Sequence, residues 1–288
     1  MKKILDRFYF YISVYLSPVI NYCSRLTSYY WFNYPFGREP LKTEKEYQRL
    51  AVEVQKKMYP EIDHFEECSG HSIDANWLND LALRTQVVVK QSPLCYAHGR
   101  VLYSALSRYL DDYTISRPGE KIVIFETGTA RGFSSLCMSK AMHDKKYPGV
   151  ILTFDVLPHS VPMYWNCITD HTLGVLTREK LLEPWKELLQ DYIIFHQGDT
   201  RVELQKVKVG RINFAFLDGA HTYKDVMYEF KHVVDRQQPG DIVVYDDYTF
   251  DQFPGLVKAV DDICLKYKYK KNILKAHSGR GYVVAHKQ

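Results

Sequence analysis

Apolar residues recur along this chain with two periods, and the change from one to the other divides it. Tyr47, Leu50, Ala51, Val54 and Met58 fall at helical spacing. Thr43-Glu44-Lys45-Glu46 ahead of them is a capping box, so a helix is predicted from there to Pro60. Residues 61–75 show no period and read as a loop. His64, Cys68 and His71 within it stand among carboxylates at irregular spacing, which suits solvated loop residues better than a metal site. Val101, Leu102, Ala105, Leu106 and Tyr109 predict a second helix over about 94–110. Pro118-Gly119 then breaks the chain. The expected boundary falls in 111–120, between a helical N-terminal extension or cap (1–110) and a second domain (111–288).

Beyond that break, short apolar runs alternate with helical patterns. Strands are expected at 121–127, 150–156, 191–196, 212–217 and 241–245. Helices are expected from Ser134, in the stretch holding Trp165 and Trp185, from Thr222 and from near Pro254. Thr222 and Asp225 have capping-box spacing, and Val226, Phe230, Val233 and Val234 share one face. Leu256, Val260, Ile263, Cys264 and Tyr267 do the same in the last helix. Alternation of strand and helix predicts an α/β, mostly parallel sheet wound on both faces. The runs 272–277 and 281–286 flank Ser278-Gly279-Arg280, a three-residue hairpin signal, so the last strand must pair antiparallel. A dinucleotide dehydrogenase would continue with a parallel crossover instead.

Composition narrows the class. The 288 residues are 46% hydrophobic and 25% charged, an ordinary globular balance, and a net charge of +4 is too mild to argue for nucleic acid. Six cysteines include no C-x-x-C pair, which suits reduced thiols in a cytoplasmic protein. At the N-terminus, Lys2, Lys3 and Arg7 outweigh Asp6, and an aromatic and aliphatic stretch follows. Ser13, Ser17, Pro18 and Asn21 interrupt it and Arg25 closes it, short of the about 20 apolar residues that a span needs. Two readings stand. The stretch docks on the rest of the chain or on a homodimer partner, or residues 8–35 make a peripheral membrane contact with their rings at headgroup level.

The chemistry gathers at strand ends. Residues 122–132 read I-V-I-F-E-T-G-T-A-R-G, a strand entering a glycine turn and then a helix N-terminus, where α/β sheets bind nucleotides. Ala130 stands where a pyrophosphate fingerprint has its middle glycine, which weakens that reading. Glu126 is placed to accept from hydroxyl or amino donors. Glu126, Asp155, Asp199, Asp218 and the pair Asp246/Asp247 all close strands. In a doubly wound sheet those ends form one crevice. Carboxylates crowded there repel unless a ligand or metal offsets them.

The set resembles class I S-adenosylmethionine-dependent methyltransferases over roughly residues 110–288. Phe-Leu-Asp-Gly-Ala-His-Thr-Tyr (216–223), Gly-Asp-Ile-Val-Val-Tyr-Asp-Asp-Tyr (240–248) and Gly-x-x-Arg-Gly-x-Ser-Ser (128–135) are similar to its small-molecule O-methyltransferase branch, which includes the macrocin-type enzymes. The resemblance implies a Rossmann-like seven-stranded sheet ending in an antiparallel hairpin. It implies S-adenosylmethionine as cofactor and a small hydroxylated acceptor such as a sugar, a glycan unit or a natural-product-like molecule. Gly128, Thr129, Ala130, Gly132 and Ser134 would lie against the methionine part, with Glu126 near its amino group. Asp155 would take the ribose hydroxyls, Asp199 the adenine amino group, and Asp218 would border the same cofactor. Asp218, Asp246 and Asp247 would hold Mg²⁺, which would activate the acceptor hydroxyl. Macrocin-type enzymes have a second acid where this chain has Ala220. His221 follows, and a near-neutral imidazole suits a general base beside Asp218. Against these roles, Asp155 and Asp199 also suit turn or cap residues, and His221 a loop anchor. Two other functions remain open: a non-catalytic protein docking a membrane or partner, and a metal-dependent oxygenase like cephalosporin hydroxylase. The oxygenase would want two histidines and a carboxylate, and the motif offers only His221.

Overall fold

The computed structural model describes Leu16, Val19 and residues 39–276 and 279–288. Apart from Leu16 and Val19, the aromatic stretch 8–35 lies outside the described residues, and with it the expected membrane or dimer contact. Among the described residues, no helix is long and apolar enough to cross a membrane.

Helix α1 (Glu44–Gln55) starts at the expected capping box: Thr43 N–H donates to Glu46 at 2.9 Å and Glu46 N–H to Thr43 Oγ1 at 3.4 Å. The expected loop at 61–75 is instead mostly helical, forming α2 (Pro60–Ser69) and the start of α3 (Ala75–Thr85). Pro60, taken as a stop, opens α2, because a proline at the first helical turn gives up an N–H that has no partner there anyway. Gly70, at φ 75°, ends α2, and Asp74 caps α3 through Trp77 N–H at 2.7 Å. His71 lies in the short loop after α2 as expected, half-buried, with its Nε2 2.7 Å from Asp111 Oδ2. Helix α4 (His98–Ser116) starts and ends later than expected and runs into the predicted boundary.

The alternating part follows as β1 (Ile122–Thr127), α5 (Phe133–Asp144), β2 (Gly149–Asp155), α6 (Ile168–Leu173), α7 (Arg178–Leu181) and α8 (Lys186–Tyr192). It continues as β3 (Ile193–Gln197), α9 (Thr200–Lys206), β4 (Phe214–Leu217), α10 (Tyr223–Val234) and β5 (Ile242–Tyr245). It closes with α11 (Pro254–Lys266), β6 (Tyr269–Lys275) and β7 (Gly281–Lys287). The seven strands form one sheet in the order β3-β2-β1-β4-β5-β7-β6. β1 to β5 are parallel, and β7 runs antiparallel to both β5 and β6. This is the expected Rossmann-like sheet with a closing hairpin.

Alternate residues of each strand face opposite layers. Ile122, Ile124, Ile151, Phe214, Phe216, Ile242 and Val244 pack with α4 and α5 through Val101, Leu102, Leu106, Leu136 and Met142. Phe125, Ala215, Leu217, Val243 and Tyr245 pack with α10 and α11 through Val226, Phe230, Val233, Leu256 and Val260. The N-terminal helices therefore share one core with the sheet. A polar tie reinforces it: Tyr109 of α4 donates to Asp241 Oδ1 at 2.9 Å and accepts from Asn213 Nδ2 at 3.1 Å, while Arg211 pairs with Asp241.

Candidate active site

The crevice is built from the turn after β1. Gly128 sits at φ 89°, and a Cβ there would overlap the carbonyl oxygen of Asp218, so only glycine lets the ends of β1 and β4 approach this closely. Ala130 keeps a positive φ of 45°, and its N–H donates to Asp155 Oδ2 at 2.7 Å. Leu157 N–H donates to Asp155 Oδ1 at 2.6 Å. The end of β2 is thus tied to the β1 turn through Asp155.

Gly128, Phe154, Asp155, Val156, Gly198, Asp199 and Gly219 border an open cavity of about 230 Å³ at the carboxyl ends of β1 to β4. Glu229 and Tyr228 of α10 border it from one side. Of the residues expected at the cofactor, Gly128, Asp155 and Asp199 are brought here. Glu126 is not. It is 0% exposed, and both its oxygens accept hydroxyls from the first turn of α5, Ser134 to Oε1 and Ser135 to Oε2. Burial raises its carboxyl above the usual range. Thr129 is buried against Thr153, 2.5 Å between hydroxyl oxygens, and Ser134 is occupied by Glu126. Gly132, φ 89°, caps α5 facing Leu182. Asp199 lines the cavity but caps α9 and grips Arg201, with Nε at 2.9 Å from Oδ1 and Nη2 at 2.5 Å from Oδ2. Those bonds hold its carboxyl below the usual range.

Strands β4 and β5 are neighbours, so the residues after them meet as expected. His221 Nε2 lies 3.6 Å from Asp218 Oδ1 and 3.1 Å from Asp247 Oδ2. Asp247 reaches this position with φ 54°. The two carboxylates raise His221 to about 10, Asp218 first and then Asp247. The expected near-neutral imidazole is therefore corrected in direction: the two carboxylates favour its protonated form. Burial, only partly offset by His221, raises Asp218 to about 7.

Asp246 takes a different place. It is 0% exposed, and Arg280 holds both its oxygens, with Nε 2.9 Å from Oδ1. Arg280 Nε also lies 3.1 Å from Asp247 Oδ1. Mg²⁺ on the three aspartates does not fit this arrangement, because a guanidinium supplies the positive charge at Asp246. Among the described residues, the group whose ligand atoms converge, all within 4.8 Å of one another, is Asp218, His221 and Asp247. An imidazole with two carboxylates suits a transition ion better than Mg²⁺.

Two residues of this site escaped sequence reasoning. Arg280 stood in a hairpin signal, and only the strand order, which sets β7 beside β5, brings it to Asp246. His98 opens α4, fully enclosed, its Nδ1 3.9 Å from Asp246 Oδ2 and without a hydrogen-bond partner. Its ring lies nearly parallel to Phe216, and burial lowers it to about 4. No periodicity marks a histidine that sits at a helix start for its contact with a distant strand.

A family model described as a methyltransferase domain matches residues 125–248. None of the curated proteins matches the sequence. Among solved structures, the O-methyltransferase NovP aligns with TM-score 0.51 at 13% identity, over 74% of this chain and 99% of its own. Cofactor-bound Rv0187 from MTB aligns with TM-score 0.52 at 12% identity, over 74% and 90%. The O-methyltransferase from Bacillus cereus in complex with SAH aligns with TM-score 0.50 at 14% identity, over 83% and 96%. At such identities the likeness reports the fold. The domain match lies on the glycine turn and the acidic strand ends, so residues 125–248 are similar to a methyltransferase domain, and the sheet shares its fold with these O-methyltransferases.

Proposed function

We propose that this chain transfers the methyl group of S-adenosylmethionine to a hydroxyl oxygen of a small acceptor: a sugar, a glycan unit or a natural-product-like molecule. The observation that carries this is the contact of Gly128 with the Asp218 carbonyl. It sets the cavity under the glycine turn directly beside the His221 cluster, so a donor and an acceptor bound in the two places would be neighbours. When bound, the sulfonium supplies an activated methyl group. The chain's own task is then to align the acceptor and to remove its proton.

Asp155 faces the cavity, and a carboxylate with two oxygens suits a vicinal diol. Gly128 lets the ligand approach the backbone. His221 is the residue to receive the acceptor proton, with Asp218 and Asp247 orienting its ring and compensating its charge. A proton must first leave the imidazolium, and a cation arriving in the neighbouring cavity lowers its pKa in that direction. A divalent ion would be held by Asp218, His221 and Asp247 and would supply Lewis acidity to the acceptor oxygen; His221 would then be a ligand in place of the base.

Calorimetric titration of S-adenosylmethionine and S-adenosylhomocysteine into the purified protein tests the reading, with Mg²⁺, with Mn²⁺ and with EDTA. Saturable binding of both ligands in all three conditions is expected. Absence of binding by either ligand removes the proposal. Binding followed by turnover on an acceptor that EDTA stops and Mn²⁺ restores would assign the ion to the reaction.

A further inference from the structure

The carboxylate expected to hold adenine is already engaged. Asp199 accepts Arg201 N–H at 2.9 Å and the Arg201 guanidinium in two-pronged contact. A second carboxylate borders the same cavity and was not singled out in the sequence. Glu229, on the inner face of α10, is 2% exposed and lines the cavity with Val156, Gly198, Gly219 and Ala220. A Cβ on Gly219 would overlap Glu229 Oε1, so that glycine leaves the carboxylate its place at the wall. Thr127 Oγ1 donates to Oε2 at 2.7 Å and Thr200 Oγ1 donates to Oε1 at 3.1 Å. Each oxygen keeps one further lone pair, and no cation pairs with the group among the described residues.

Resting on the cofactor reading above, we propose that Glu229, rather than Asp199, accepts the exocyclic amino group of the cofactor's adenine and selects it against a 6-oxo purine. The placement follows from Asp155. With the ribose at that carboxylate, the base extends into the space between the ends of β2, β3 and β4, where Glu229 forms part of the wall. A buried carboxylate attracts an amino donor and repels a carbonyl oxygen, and Glu229, only 2% exposed, is little screened by water. Burial raises Glu229 to about 7, so at pH 8 it is mainly ionised and acts as a pure acceptor.

The test compares calorimetric dissociation constants of S-adenosylhomocysteine and S-inosylhomocysteine at pH 8. Native protein is expected to prefer the adenosyl compound by tenfold or more. Glu229→Gln, whose amide turns to donate to a 6-oxo group, is expected to erase or reverse that preference. Asp199→Asn is expected to leave the ratio within about threefold of native. A purely structural Glu229 would weaken both ligands equally, and an unmoved ratio in Glu229→Gln overturns the proposal. Should that variant fail to fold, Glu229→Asp draws the carboxylate back by one methylene and must lower the same ratio. If native protein binds neither compound, the cofactor reading fails first. Binding of both with no preference leaves that reading standing and removes this one.

Discussion

His221 carries the residue-scale argument, because its neighbours set its proton. Three residues after Asp218, on the loop that leaves β4, it is reached by Asp247 from the end of β5 as well. The sequence shows the first carboxylate at a legible spacing but not the second, which arrives only through the pairing of β4 with β5. That is why a near-neutral imidazole was expected and one raised to about 10 is found. The sign follows. A base acts in its unprotonated form, so the competent fraction grows as pH rises toward 10 and is small at pH 7. Asp247→Asn removes one of the two groups that raise the imidazole, so its titration moves to lower pH. NMR titration of the His221 ring should place the native midpoint well above 8 and the Asp247→Asn midpoint lower. Coincident midpoints would show that Asp247 does not govern this proton. The same residue gives a stability window: a histidine raised on folding stabilises most below its unfolded value of about 6.5, and that contribution fades as pH rises through 10.

At the scale of elements, the unit from β1 through the glycine turn into α5 was legible in outline and misleading in one respect. The apolar run, the turn and the helix start each have a local cause, so all three were found. From the sequence, its place next to the turn points Glu126 at the ligand. Strand alternation decides otherwise. Glu126 shares parity with Ile122 and Ile124, on the face covered by α4 and α5, while Thr127 shares parity with Phe125 on the other face and reaches Glu229. Glu126 therefore fastens the helix start to the strand through Ser134 and Ser135. Replacing both serines with alanine leaves a buried carboxyl without its hydroxyl donors, at about 1–3 kcal/mol for each lost partner. The urea midpoint should fall clearly. Glu126→Gln, whose oxygen accepts from one serine while its amide N–H donates to the other once that hydroxyl turns, should keep S-adenosylhomocysteine affinity within about threefold of native. A tenfold or greater loss of affinity with an unchanged midpoint would return Glu126 to the ligand.

Over the whole molecule, the order of strands and helices in residues 121–288 came through because each element is a short stretch with its own period. The N-terminal part did not: Pro60 and the polar surface of α2 hid that helix, while α3, with its Asp74 cap and a buried face of Leu78, Leu81, Ala82 and Thr85, carries a pattern that the reading of a loop over 61–75 passed over. Their packing bears on how the chain divides. Val101, Leu102 and Leu106 of α4 belong to the same core as the sheet, and Tyr109 closes a buried network with Asp241 and Asn213. Cutting within residues 111–120 would strip the α4 layer from the strand face built by Ile122, Ile124, Phe214, Phe216 and Ile242. It would also leave the Asp241 carboxylate without the Tyr109 hydroxyl and His98 missing from beside Asp246. Each buried aliphatic side chain laid open costs about 1.5–3 kcal/mol, so a handful exceeds the 5–15 kcal/mol that holds a typical domain together. We therefore expect a fragment of residues 117–288 to show no cooperative thermal transition and to bind no S-adenosylhomocysteine. A fragment of residues 39–288 should melt cooperatively. If 117–288 melts cooperatively and binds the ligand, the N-terminal helices are a separable cap and the sheet with its later helices stands without them.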